Sequence, residues 1–223
     1  MHFQFLIEDS STEKLIIHIM HKSAEQYADK EITFDVKSFS GIGHLSNNGT
    51  ITERKGKGLL NSLPLYLRGF DKKLSGMPEA MIVIVLDNDK RNVDVFQREL
   101  DNVVHINVVR TDCSICIAVK EMEAWLLGDE KAILEAYPKM TKKKSYREYQ
   151  QDGICDTWEV LADAVYKGGL TALQKKARNE YSEIGKAKCE WANEIGKRMN
   201  LNDNKSPSFQ RFISTLKSKI EAA

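Results

Sequence analysis

Apolar residues come in short runs that alternate with amphipathic segments over the first 130 residues of the chain. The strongest run, Ala80 to Leu86, is continuously apolar and rich in β-branched residues, as are strands buried on both faces of a parallel sheet. Alternation of strand and helix patterns predicts an α/β fold with a mainly parallel sheet flanked by helices. Shorter apolar or alternating runs predict the remaining strands at residues 3–7, 32–39, 103–109 and 115–119.

The segments between these strands have the spacing of amphipathic helices. Ser10 to Glu13 has the S-x-x-E form of a capping box, which predicts that the first helix begins here. Residues 59–70 and a segment carrying Phe96 and Leu100 predict two further helices. Residues 40–58 contain five glycines among polar residues, and this composition predicts a long loop.

Strand patterns cease at Glu121, and the rest of the chain reads as helices around Trp158 and Trp191 and a last helix beginning at Ser206-Pro207. Charge changes in the same region. Residues 1–136 hold 16 Lys and Arg against 21 Asp and Glu, whereas residues 137–223 hold 17 against 11. We therefore divide the chain into an acidic α/β domain, 1–136, and a basic helical C-terminal extension, 137–223, packed on it.

Overall composition excludes several classes of protein. No apolar run approaches the ~20 residues of a membrane span, and the first residues lack the pattern of a secretory signal. Four cysteines in 223 residues do not make a disulfide scaffold. We expect a reduced, cytoplasmic protein with no membrane partner. The sequence lacks a phosphate-binding loop of the G-x-x-x-x-G-K-[ST] type, so any ATPase function would belong to a partner.

Acidic residues follow two of the predicted strands. Glu8 comes directly after the first strand, and Asp87 and Asp89 follow the buried strand. The carboxyl ends of parallel strands share one edge of a sheet, where ligands bind in such folds. If the two strands are neighbours, the three carboxylates meet, and an oxygen-only cluster suits Mg²⁺ or Mn²⁺. The alternative is that these acids cap helices or face solvent.

Three parts of the sequence carry a specific resemblance. Glu8, the Thr12-Glu13 pair shortly after it and the later Asp87-x-Asp89 together resemble the TOPRIM pattern of topoisomerases, primases, recombination mediators and OLD-type nucleases, although Asp9 stands where the nuclease version usually has Gly. A second stretch is similar to the Glu-x-Trp-Leu-x-x-Asp element of small TOPRIM-like proteins assigned only as a domain of unknown function. This stretch runs from Glu123 through Trp125-Leu126 to Asp129. The C-terminal segment Ser206-Pro207-Ser208-Phe209-Gln210-Arg211-Phe212 resembles the same family.

The resemblance implies a TOPRIM-like fold and a Mg²⁺- or Mn²⁺-dependent nuclease that cleaves phosphodiester bonds. It implies that Glu8 is a general acid/base or metal ligand, that Asp87 and Asp89 are the principal ligands, and that Glu123 adds a fourth carboxylate, with Glu121 as the alternative. Glu13 is assigned mainly to the capping box. Genes of that family often lie beside AAA/ABC-type ATPases in settings of phage defence, which implies an ATPase partner and an effector role in a two-component antiphage system.

A basic segment is the candidate nucleic-acid interface. Residues 139–147 carry five positive and no negative side chains, and Tyr137, Tyr146 and Tyr149 are near enough to stack on bases. The alternative is a solvated loop. DNA, RNA and tRNA all remain open as substrates, as does assembly into a homo-oligomer. The predicted contacts are Lys139, Lys142, Lys143, Lys144 and Arg147.

Two other functions compete with the nuclease. One is a non-catalytic TOPRIM scaffold that binds an ATPase or nucleic acid. The other is a phosphatase of the HAD type, which also places Asp-x-Asp after an apolar strand. That family usually carries the pair on its first strand, whereas here it comes at Asp87, so the phosphatase ranks last.

Overall fold

A computed structural model of the chain describes residues 1–43, 57–77, 79–108, 110–180 and 182–223. Four parallel strands form one sheet in the order β2-β1-β3-β4. The two inner strands, β1 and β3, carry the most apolar sequences, because both of their faces are covered by helices. The strands are β1 (His2–Ile7), β2 (Thr33–Ser38), β3 (Ala80–Asp87) and β4 (Asp112–Ala118).

Helices cover the two faces of this sheet. None of the helices in the described part of the chain is long and apolar enough to cross a membrane. The helices are α1 (Ser10–Gln26), α2 (Leu59–Leu74), α3 (Val93–Asn107), α4 (Glu123–Leu127), α5 (Glu130–Ala136), α6 (Lys144–Glu148), α7 (Thr157–Val165), α8 (Gly169–Ala177), α9 (Glu183–Gly196) and α10 (Pro207–Ala222).

Alternate residues of the inner strands enter two separate cores. Leu6, Ile82 and Ile84 pack with α2 and α3 on one face. Phe5 and Val83 point to the other face, where they pack with α1 and with the helices from α4 onward. The C-terminal helices therefore complete the core of the α/β region, and the predicted α/β architecture with a parallel, helix-flanked sheet is confirmed.

The prediction of a strand at 103–109 is wrong. Residues 103–107 are the last turns of α3, and Val109 lies outside the described residues. Phe96, Leu100, Val103 and Asn107 are all buried, and their spacing of three or four residues places them on one face of a helix. The β-branched residues of this segment favoured a strand locally, but burial of this helical face against the sheet decides the outcome.

The first helix begins one residue earlier than predicted. Asp9 is its N-cap, with Oδ1 accepting a hydrogen bond from Thr12 N at 2.8 Å. Glu13 instead accepts a hydrogen bond from Ser38 Oγ at 2.8 Å, at the end of β2, so the predicted capping box is wrong. Of the predicted loop at 40–58, residues 44–56 lie outside the described residues. The predicted start of the last helix is confirmed, because Ser206 caps α10 through Phe209 N.

Candidate functional site

Glu8 and Asp87 lie side by side at the carboxyl edge of the sheet. Glu8 directly follows β1, and Asp87 is the last residue of β3. These two strands are adjacent and parallel, and Ile7 lies opposite Val85. The backbone amide of Asp87 donates a hydrogen bond to Glu8 Oε2 at 3.2 Å. Asp87 is buried, with 9% of its surface exposed, and Glu8 is partly buried. The strand order therefore brings these two predicted site residues together.

Glu123 and Lys188 complete the cluster from the helical side. Glu123 is the first residue of α4 and is fully buried. The Lys188 ammonium, on α9, lies 3.1 Å from Glu123 Oε1 with 21% of its side chain exposed. Neither oxygen of Glu123 receives a hydrogen bond of good geometry from the described residues. We call Glu8, Asp87, Glu123 and Lys188 the edge cluster.

Burial and neighbouring charges raise the pKa of each carboxyl group of the edge cluster. Burial, with the charges of Asp9 and Asp89, raises the pKa of Glu8 to about 7 against the opposing Asp87 amide hydrogen bond. Burial and the charges of Glu8 and Glu123 raise the pKa of Asp87 well above its ordinary value. Burial also raises the pKa of Glu123, while Lys188 opposes the shift.

Lys188 is the positive charge of the edge cluster. Burial works to lower the pKa of its ammonium, but Glu123, Asp87 and Asp9 outweigh burial and raise it above the ordinary value. Lys188 therefore stays charged near neutral pH, while its carboxylate neighbours compete for protons. A buried group of several acids is thus stabilised by one internal cation.

Asp89 is near enough for its charge to act on Glu8, but its side chain is paired elsewhere. Its side chain is half exposed and forms an ion pair with Arg91 Nη1 at 3.2 Å. Buried Asn88 fixes the turn, accepting a hydrogen bond from Lys120 N and donating one to Arg91 O, each at 2.7 Å. Asp89 and Arg91 line a surface pocket of about 500 Å³ together with Lys90, Glu121, Cys155 and Asp156.

Glu121 and Glu123, which the sequence could not separate, have different positions. Glu121 Oε2 accepts hydrogen bonds from Thr157 Oγ1 at 2.7 Å and from Trp158 N at 3.3 Å. It therefore caps the N-terminus of α7, where the N-cap residue Asp156 makes no capping hydrogen bond through its side chain. Glu123 is the member of the pair that joins the edge cluster.

The remaining residues of the second motif hold α4 against the C-terminal helix. Trp125 Nε1 donates a hydrogen bond to Ser208 Oγ at 2.9 Å, and its ring stacks on Phe212 at 5.0 Å between ring centroids. Asp129 caps α5 and also accepts a hydrogen bond from Asn200 N. These contacts fix the position of Glu123, which begins the same short helix.

The donor types of the edge cluster fit a hard divalent cation, but no metal group is assembled. Among the described residues, no group of three or more His, Cys, Asp or Glu side chains is arranged to hold a metal ion. The oxygens of Glu123, which accept no hydrogen bond from the described residues, and the carboxylates of Glu8 and Asp87 at neighbouring strand ends are of the kind that Mg²⁺ and Mn²⁺ prefer as ligands. Lys188 contributes the positive charge there, and Asp89 lies outside the group.

The basic segment is largely paired with acidic residues. Lys142 and Lys143 form ion pairs with Glu130 and Asp163, both at 2.6 Å. Lys144 pairs more loosely, at 3.9 Å, with Glu148. Within the part of the chain that the structure describes, Lys139 and Arg147 are exposed and form no ion pair.

The tyrosines near the basic segment do not stand free. Tyr137, Tyr146 and Tyr149 are partly buried and pack against the core that contains α9 and α10. A stacking platform for bases requires an exposed ring face. The partly buried rings do not offer such a face. What this surface presents to solvent is the charge of Lys139 and Arg147.

Sequence reasoning missed Lys188 as a site residue, although a signal exists. Lys188 follows Ile184 by four residues and precedes Trp191 by three and Ile195 by seven. This spacing places a lysine on the apolar stripe of α9, where an unpaired ammonium would be costly. A charge at such a position indicates a buried acidic partner.

The fold and the edge cluster define a parallel α/β protein with an ionic site at the carboxyl edge of its sheet. The model of the domain of unknown function DUF4276 matches residues 7–217. The chain belongs to this DUF4276 family. Searches of curated proteins and of solved structures found no match.

Proposed function

We propose that this protein is a TOPRIM-type, Mg²⁺- or Mn²⁺-dependent nuclease whose metal ligands are Glu8, Asp87 and Glu123. The observation that carries the proposal is the gathering of two buried carboxylates, Asp87 and Glu123, and the partly buried carboxylate of Glu8, from two neighbouring strand ends and one helix, around a single positive charge. Such a concentration of acid is costly to fold, so it is expected where a function needs it.

The chain's own residues would divide the work of phosphodiester hydrolysis. A bound divalent cation neutralises charge on the phosphate and lowers the pKa of a coordinated water. Asp87 ends a rigid, fully buried strand and so holds its carboxylate in a fixed position. In the metal-free protein the pKa of Glu8 is raised to about 7, so this carboxyl group exchanges its proton near neutral pH, and a bound cation would favour its ionised, ligating form.

Lys90 and Arg91 would contact the substrate backbone. They line the pocket beside Asp89 together with the carboxylates of Asp89, Glu121 and Asp156, and Arg91 is already paired with Asp89. Lys139 and Arg147 are the exposed cations of the basic segment and would contact phosphates farther along the strand. The motif resemblance implies an ATPase partner in an antiphage system. That partner would hydrolyse ATP and so control when the nuclease is active.

The test is a cleavage assay on single- and double-stranded DNA and on RNA, with and without Mg²⁺ or Mn²⁺. We expect metal-dependent cleavage by the wild type and none by Asp87→Asn, which removes one charge but no core volume. Exposed Asp94→Asn is the matched control and should cleave normally. Equal cleavage by wild type and Asp87→Asn would refute the assignment of the site.

A second candidate function is a non-catalytic scaffold. It is favoured by Lys188, which already neutralises part of the cluster, and by Asp89, which is paired with Arg91 instead of joining it. No cleavage of any substrate with either metal, even beside an ATPase encoded next to this chain, together with retained nucleic-acid or ATPase binding, would favour the scaffold.

A further inference from the structure

We propose that Lys188 is the resident cation of the edge cluster and that a divalent metal binds by displacing its ammonium from Glu123. This inference rests on the proposed metal site. It adds that the Lys188 ammonium competes with the metal for the carboxylates and thereby lowers the affinity of the site for the metal.

The position of Lys188 is the first argument. Its ammonium lies 3.1 Å from Glu123 Oε1, whereas the Glu123 carboxylate is fully buried and lacks a well-formed hydrogen bond from the described residues. An ion pair without hydrogen-bond geometry holds charge near charge but leaves lone pairs unsatisfied. The Glu123 oxygens therefore remain available to a stronger partner.

The second argument is the balance of charge. Lys188 interacts with Glu123, Asp87 and Asp9, and it is the positive group that acts on both Asp87 and Glu123. A divalent cation among Glu8, Asp87 and Glu123 would bring two more positive charges within a few ångströms of the ammonium. The three ionised carboxylates would balance both cations in total charge, but a metal on Glu123 Oε1 would lie within a few ångströms of the ammonium that now contacts this oxygen, and their mutual repulsion favours departure of the lysine.

The third argument is that Lys188 can leave. Its side chain is 21% exposed, so its flexible stem has a route to solvent, while Glu123 is held at the start of α4. Lysine also has four rotatable side-chain bonds and a strongly hydrated head group. Displacement requires a change of rotamer and no movement of the backbone.

The test measures Mn²⁺ affinity by calorimetry for wild type and for Lys188→Met. We expect at least about tenfold tighter binding by Lys188→Met, because a neighbouring positive charge at this distance opposes a cation by more than a factor of ten even when screened. Lys186→Met is the matched control. Lys186 lies on the same helix but is exposed and pairs with Glu183 and Glu180, so its loss should leave Mn²⁺ affinity unchanged.

The outcomes separate this inference from the proposed function. If the wild type binds Mn²⁺ and Lys188→Met binds it no more tightly, displacement is overturned while the metal site stands. If neither protein binds Mn²⁺, the metal site and the displacement both fail. Metal-dependent cleavage by the wild type tests the proposed nuclease activity and not the displacement of Lys188.

A measurement on the wild-type protein covers the case in which Lys188→Met does not fold. With ¹⁵N-labelled lysine, the Nζ resonance of Lys188 is assigned by its loss in Lys188→Arg. Saturating Mg²⁺ should shift this resonance toward those of solvated lysines or remove it through fast proton exchange. An unshifted Lys188 resonance at saturating Mg²⁺ would overturn the proposal.

Discussion

The Asp87 amide donates its hydrogen bond to the Glu8 carboxylate, so the end of β3 is tied to the residue that follows β1. This bond favours ionised Glu8, but burial and the nearby charges of Asp9 and Asp89 have the larger combined effect and raise its pKa to about 7. The hydrogen bond therefore positions the two acids, whereas burial and the neighbouring charges make Glu8 sensitive to pH.

We expect the metal-free protein to lose stability as pH rises from 4.5 to 7. In this window folded Glu8 holds a proton that it releases on unfolding, where its pKa returns to about 4.5. The folded state binds more protons, so the free energy of unfolding falls with pH, by up to about 3 kcal/mol for this group. Urea unfolding at pH 5 and pH 8 in EDTA measures the difference.

Glu8→Gln should reduce this pH dependence, because an amide does not titrate. The exposed Glu25→Gln variant is the control and should keep the wild-type slope. A Glu8→Gln protein with an unchanged slope would show that Glu8 ionises normally in the folded state.

Glu121→Ala and Glu123→Ala form a matched pair two residues apart. Glu121→Ala removes the cap of α7 and should cost about 1–2 kcal/mol of stability, without changing Mn²⁺ affinity. Glu123→Ala removes the carboxylate that contacts Lys188 at 3.1 Å and should cost about 3 kcal/mol and weaken Mn²⁺ binding. Thermal unfolding and metal titration of both variants check this, and equal Mn²⁺ affinities would remove Glu123 from the site.

Gly128→Ala should destabilise the protein by about 2 kcal/mol or more, because overpacking would break buried hydrogen bonds. A Cβ atom there would lie 2.0 Å from Asn204 Oδ1. Buried Asn204 cannot move freely, since it donates to Trp125 O and accepts from Ser206 N. Gly185→Ala, in α9 with open space around it, is the control and should stabilise the helix by about 0.5–1 kcal/mol.

Two double variants of the basic segment should differ in the salt dependence of their nucleic-acid affinity. Neutralising Lys139 and Arg147 should lower the slope of log affinity against log salt by nearly two on duplex DNA, at about 0.9 per phosphate contact. Neutralising Lys142 and Lys143 should change the slope less, because Glu130 and Asp163 already compensate them. Fluorescence anisotropy across salt concentrations measures both slopes. Identical slopes for all three proteins would show that this segment does not contact the backbone.

Local pattern was sufficient for most of the elements. The continuous apolar run before Asp87 predicted a strand buried on both faces. Where helices cover both faces of a sheet, successive side chains of a strand all enter apolar surroundings. Ser206 followed by Pro207 predicted the start of α10. Local pattern failed at residues 103–107, where β-branched residues favour a strand but the three- and four-residue spacing of the buried side chains belongs to α3.

The sequence by itself determined that acids follow two strands of a parallel sheet, and hence that Glu8 and Asp87 could meet. Only the tertiary structure decided the membership of the edge cluster. It placed β1 beside β3, turned Asp89 toward Arg91, and assigned Glu121 to α7 and Glu123 to the cluster. It also placed Lys188 of α9, about a hundred residues after β3, in the edge cluster. The reason is physical: strand and helix patterns depend on neighbours along the chain, whereas pairing of buried charges depends on how distant elements pack.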